Sequence, residues 1–173
     1  MLIDTHVHLD AFPDCDIEAI LDRGHDVGVG FVICAGTTVA SSIRSVDLSR
    51  RFHPFFSGVG VHPMDISKPL TTGDYQTLAE LASNEPKVIV MSEIGLDYME
   101  GMPDRAWQFT AFREQISIAR ALNLPIVFHS REAHQDCLRV LKEEKGYEVG
   151  GIMHYFQGSL AVSYTHLTLP TKA

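Results

Sequence analysis

The chain has 173 residues, 45% hydrophobic and 21% charged, with a formal net charge of −8 and three cysteines. That length supports one core, and the composition is that of an ordinary soluble globular protein rather than a disordered one. The acidic balance excludes a protein that coats nucleic acid through a general basic surface, and an odd cysteine count without C-x-x-C spacing excludes a disulfide framework or a thiolate zinc finger and fits a reducing compartment.

The N-terminus carries Asp4 and His6 where a signal peptide needs basic residues and an apolar stretch. No apolar run approaches a membrane span, so a cytoplasmic protein without membrane contact is expected. Leu2-Ile3-Asp4-Thr5-His6-Val7-His8 opens as a strand, and alternation puts His6 and His8 on one face, where two imidazoles can grip one cation. Asp16 is a candidate N-cap for a helix using Ile17, Ile20 and Leu21, ended by Gly28-Val29-Gly30. A buried strand is expected over 31–35, a helix over about 39–52, and a strand over 55–61 leading to His62-Pro63. Thr72 can cap a third helix built on Tyr75, Leu78 and Leu81.

A strand of Val88-Ile89-Val90-Met91-Ser92 ends in Glu93. Pro103 and Asp104 then open a helix striped by Phe109, Phe112, Ile116 and Ala119, and Asn123 closes it. Ile126-Val127-Phe128 ends in His129, a fifth helix is expected over about 133–144, and Gly151-Ile152-Met153 ends in His154.

Apolar strands separated by single helices imply parallel strands with right-handed crossovers, hence an α/β architecture. An open doubly wound sheet gathers its ligands at one switch point, whereas a barrel gathers them from the C-terminal ends of many strands. Metal-capable ends on strands one, four, five and six favour a TIM-type (β/α) barrel. About six of its eight βα units can be placed, without a sixth helix, so the chain reads as incomplete at the C-terminus. Residues 1 to about 161 form one partial barrel domain, and 162–173 lack a helical stripe and read as a foreign or disordered tail, such as a cloning or sequencing artefact.

Five segments carry a family resemblance: Asp4-Thr5-His6-Val7-His8-Leu9-Asp10, Gly58-Val59-Gly60-Val61-His62-Pro63, Glu93-Ile94-Gly95-Leu96-Asp97-Tyr98, Leu124-Pro125-Ile126-Val127-Phe128-His129-Ser130-Arg131 and His154-Tyr155-Phe156-Gln157-Gly158-Ser159. In this order they resemble the motifs of TatD-family metal-dependent deoxyribonucleases, members of the metallo-dependent hydrolase superfamily. The resemblance implies a barrel with a binuclear site that hydrolyses phosphodiester bonds, with DNA as substrate. It also implies that His6 and His8 hold one divalent ion, that Glu93 bridges, and that His129 and His154 hold the second. A further aspartate belongs to that pattern near the last strand, in a segment rich in Asp, Ser and Pro that does not occur here.

Such a set suits the chemistry. Two cations lower the pKa of bound water, neutralise a phosphate oxygen and clamp an in-line displacement, and a carboxylate can offer one oxygen to each. Imidazoles complete the spheres without cancelling the charge; Zn²⁺, Mg²⁺ and Mn²⁺ all fit such donors.

Three further residues are candidates for catalysis. His62 can touch substrate phosphate or a leaving group, or simply shape a His-Pro turn. Asp97 can orient a metal-bound histidine, or cap the following loop. Arg131 can make a bidentate phosphate contact, or pair with Glu93 or near Glu132. His25, His53, His134 and His166 are expected at the surface. Two alternatives stay open: another ester or amide hydrolase of the same superfamily, such as an aminoacyl-tRNA deacylase, and an inactive metal-binding fragment.

Overall fold

The structure is a computed structural model that describes residues 1–158, so the expected tail over 162–173 lies outside the described residues. Strands β1 (Leu2–Val7), β2 (Val29–Ala35), β3 (Phe55–Val59), β4 (Val88–Asp97), β5 (Ile126–Arg131) and β6 (Gly151–Met153) form one sheet in chain order. Every neighbouring pair is parallel. A doubly wound sheet reverses its strand order at a switch point. This order never reverses, so the right-handed crossovers lay their helices along one side, which is the barrel arrangement expected from the sequence.

Those crossovers are α1 (Asp14–Asp26), α2 (Val39–Arg51), α3 (Thr72–Asn84), α4 (Arg105–Leu122) and α5 (His134–Glu143). Several boundaries differ from expectation for local reasons. Pro13, not Asp16, is the N-cap of α1, with its fixed φ of −60° leading into the first turn. Thr71, not Thr72, caps α3, because its hydroxyl accepts from the Asp74 N–H while the Asp74 carboxylate accepts from the Thr71 N–H. Strand β2 begins two residues before Phe31, where Val29 pairs with Leu2 at the start of β1. Strand β4 runs past Glu93 to Asp97, so Glu93 sits within a strand, at a register shift between Met91 and Ile94.

The main core packs Val59, Met91, Ile94 and Leu96 of the sheet against Leu78, Phe112, Ile116 and Val140 of the helices. A second cluster joins Ile17, Val32, Cys34, Leu48 and Phe55. Among the described residues β1 and β6 are the sheet edges, and Leu2, Ile3 and Ile152 on them are exposed. Helix α4 carries two fully buried glutamines, Gln108 and Gln115, on its apolar face. Their roles appear at the ends of β3 and β4.

Candidate metal centre

The C-terminal ends of the strands bring the expected residues to one place. His6 Nε2 lies 3.2 Å from Glu93 Oε2, and His129 Nδ1 lies 3.4 Å from the other oxygen, Oε1. Single donor atoms of His6, His8 and Glu93 lie within 4.8 Å of one another, as do those of His62, Glu93 and His129. Glu93 thus belongs to both groups. Backbone bonds hold these positions: Glu93 N–H donates to Gly36 C=O, His62 N–H to Thr37 C=O, and His154 N–H to Phe128 C=O.

Glu93 is buried, which alone would raise its carboxyl pKa. The neighbouring imidazoles of His129, His6 and His62 outweigh that and hold it well below the usual carboxylate range. The site therefore keeps a buried anion. Although His6 Nε2 is close to Glu93, the angle is not that of a hydrogen bond, and both ring nitrogens of His6 are buried without a hydrogen-bond partner. Buried polar atoms are normally partnered, so an open imidazole facing a buried carboxylate fits a cation.

Hydrogen bonds at the far side of each ring decide which nitrogen is free. His8 Nδ1 lies 3.2 Å from the Ala35 carbonyl and must donate to it, leaving the Nε2 lone pair available. His129 Nε2 lies 2.8 Å from Asp97 Oδ2 and donates to that carboxylate, leaving Nδ1 open toward Glu93. His62 is reversed: its Nδ1 accepts from the Met64 N–H at 3.1 Å, so neutral His62 carries its hydrogen on Nε2, 3.8 Å from Glu93 Oε1. It is a donor facing the site. Nearness alone groups His62 with Glu93 and His129, but its tautomer makes it a poor ligand.

His154 stacks on His6, with ring centroids 3.6 Å apart and planes 11° from parallel, and belongs to neither donor group. Burial, and then the nearby His6, lower its pKa. Asp97 is fully buried, with Oδ2 accepting from His129 and Oδ1 accepting from Met99 N–H in the following loop. Burial would raise its pKa, but Arg131, the Met99 N–H and His129 together lower it. Arg131 pairs with Asp97 at 2.8 Å, not with Glu93 or the Glu132 region, because side chains two apart on β5 share a face and Asp97 stands opposite Arg131 in the register. Its Nε is buried without a partner. His134 is half-buried, not a surface residue, because Ser130 Oγ meets its Nδ1 at 2.7 Å on the helix side of β5.

Sequence reasoning missed what holds the strand ends. Gln108 Oε1 accepts from Asp97 N–H at 2.8 Å while its Nε2 donates to the Asp97 and Pro103 carbonyls. One heptad on, Gln115 clamps Val61, the residue before His62, by accepting from its N–H at 2.6 Å and donating to its carbonyl. The signal was polar residues at seven-residue spacing on the same face as Phe112 and Ala119. Gly95 is equally constrained: its φ is +145°, and a Cβ there would meet the His129 carbonyl oxygen at 2.0 Å.

Comparison with known proteins agrees with this geometry. A sequence model described as TatD related DNase matches residues 3–170, a range that runs into the segment expected to be foreign. "Uncharacterized metal-dependent hydrolase YabD" of Bacillus subtilis is 36% identical over 164 residues, covering 94% of this chain and 64% of that protein. "3'-5' ssDNA/RNA exonuclease TatD" of Cronobacter turicensis is 33% identical, covering 84% of this chain and 55% of that protein. The crystal structure of the TatD homolog YjjV from Escherichia coli superposes with a TM-score of 0.87 at 31% identity, over 96% of this chain and 64% of that one. The chain thus spans about six tenths of the length of the relatives it matches. No helix among the described residues is long and apolar enough to cross a membrane. With its motifs, strand order and clustered imidazoles all in agreement with that match, the chain belongs to the TatD-related DNase family.

Proposed function

We propose that the protein is a metal-dependent hydrolase of phosphodiester bonds, acting on the ends of DNA with two divalent cations, Zn²⁺, Mg²⁺ or Mn²⁺. The observation that carries this reading is the half-buried His6 ring, whose two nitrogens are buried and unpartnered beside the buried Glu93 carboxylate. His6, His8 and Glu93 would hold one cation; Glu93, His129 and His154 would contribute to the second. When bound, such ions supply activation of water near neutral pH and neutralisation of the phosphate.

The chain's own groups do the rest. Glu93 stays ionised and offers one oxygen to each side of the site. Asp97 holds His129 in the tautomer that opens Nδ1. Burial depresses the His62 pKa to about 4, so at neutral pH it is an uncharged donor whose Nε2–H can reach a phosphate oxygen. Arg131, anchored by Asp97 and with its Nε free, adds the fixed positive charge that an anionic substrate needs. The support from relatives is two named exonucleases and several named metal-dependent hydrolases.

The test is to load the protein with each cation, measure metal content, and follow nucleotides released from single-stranded and duplex DNA. Metal-loaded protein that releases none would end this reading.

A further inference from the structure

Beside the candidate centre, the loops after β3 and β4 carry Met64, Met99 and Met102, two of which touch the Arg131 guanidinium. Met64 is 45% exposed and Met99 41%, and Met102 is half-buried. Arg131 Nη2 lies 3.6 Å from Met64 Sδ and 3.8 Å from Met102 Sδ. Neither sulfur is a strong acceptor, so these contacts do not satisfy the guanidinium; they set an apolar, polarisable wall against it. The wall is fixed to the chemistry. Met99 N–H donates to Oδ1 of Asp97, the carboxylate whose Oδ2 holds both His129 and Arg131, and Met102 N–H donates to the Met99 carbonyl.

A ligand whose phosphate meets Arg131 must therefore lay its neighbouring group on thioethers. In a nucleotide that group is a sugar bearing a flat, π-rich base, and the base is the part suited to such a wall. Methionine binds such faces through sulfur–aromatic contact and adapts its three torsions to rings of different size, without hydrogen-bond readout. We propose that Met64, Met99 and Met102 form a subsite for the base flanking the scissile phosphate, one that accepts every base. The inference rests on the phosphodiesterase reading above and adds the residues that receive the base.

The experiment compares two single-stranded oligodeoxynucleotides, one with ordinary terminal nucleotides and one with terminal abasic residues, on the full-length metal-loaded protein. Met64→Ala and Met102→Ala should raise KM for the ordinary strand by about three- to tenfold. They should leave kcat unchanged and leave the abasic strand, already weaker, unaffected. Met64→Leu, which keeps apolar volume, should restore most of the KM, and a melting curve for each variant reports folding. Equal losses on both strands, or no change on either, overturn the subsite while leaving the nuclease reading intact. If the wild-type protein cleaves neither strand, the nuclease reading itself fails and the subsite falls with it.

Discussion

Asp97 Oδ2 sits 2.8 Å from His129 Nε2 and also 2.8 Å from Arg131 Nη2, so a single buried oxygen orients one candidate ligand and one candidate substrate contact. Replacing it with an amide keeps the shape and removes the charge that both partners need. Asp97→Asn should weaken metal binding by about 10- to 100-fold, the usual effect of losing a carboxylate behind a metal-bound histidine. Chelator competition reads this directly, and unchanged affinity would remove Asp97 from the metal site.

Glu93 is the one carboxylate shared by both donor groups. Glu93→Gln retains volume but offers a neutral amide, so bound metal per chain should drop and nucleotide release should fall by more than about a hundredfold. Elemental analysis of the purified variant gives the first number. A variant with undiminished metal content would show that the cations sit elsewhere.

Acid should destabilise the metal-free protein in a definite window. His62 is buried and its pKa falls from 6.5 to about 4 on folding. Above pH 6.5 it is neutral in both states and its contribution is complete; between 6.5 and about 4 only the unfolded chain takes up the proton, so that contribution is lost as pH falls. The full loss is at most about 3 kcal/mol. Denaturant midpoints in chelator at pH 7 and pH 5 should differ, and the difference should shrink in His62→Asn.

Gln108 makes two buried hydrogen bonds to Asp97 and a part-buried one to Pro103. Gln108→Leu keeps the helix and the approximate volume but strands an N–H and two carbonyls. A loss of roughly 2 to 4 kcal/mol in stability is expected, with weaker metal binding as Asp97 loosens. Urea unfolding combined with chelator competition checks both; a variant as stable as wild type would mean that water replaces the amide.

The alternation of apolar strands and single helices made the barrel order legible, and the strand-end positions of His6, His8, Glu93, His129 and His154 drew attention to one mouth. Those signals are periodic and local. What the sequence hid depends on which atom faces which. His62 and His129 look alike as strand-end histidines, yet Met64 N–H occupies Nδ1 of one and Asp97 occupies Nε2 of the other. Arg131 had several plausible partners in the sequence, and only the pairing of β4 with β5 puts Asp97 opposite it. Likewise Pro13 displaced Asp16 as a cap because a fixed φ competes with a side-chain acceptor, a contest that composition does not reveal.

Because Gln108 and Gln115 hang from the same helix, Asp97 and His62 share one ruler, and neither can be repositioned without dragging the other's reference mark. Substitutions that rotate or slide this rod would detune His62 and Asp97 at once.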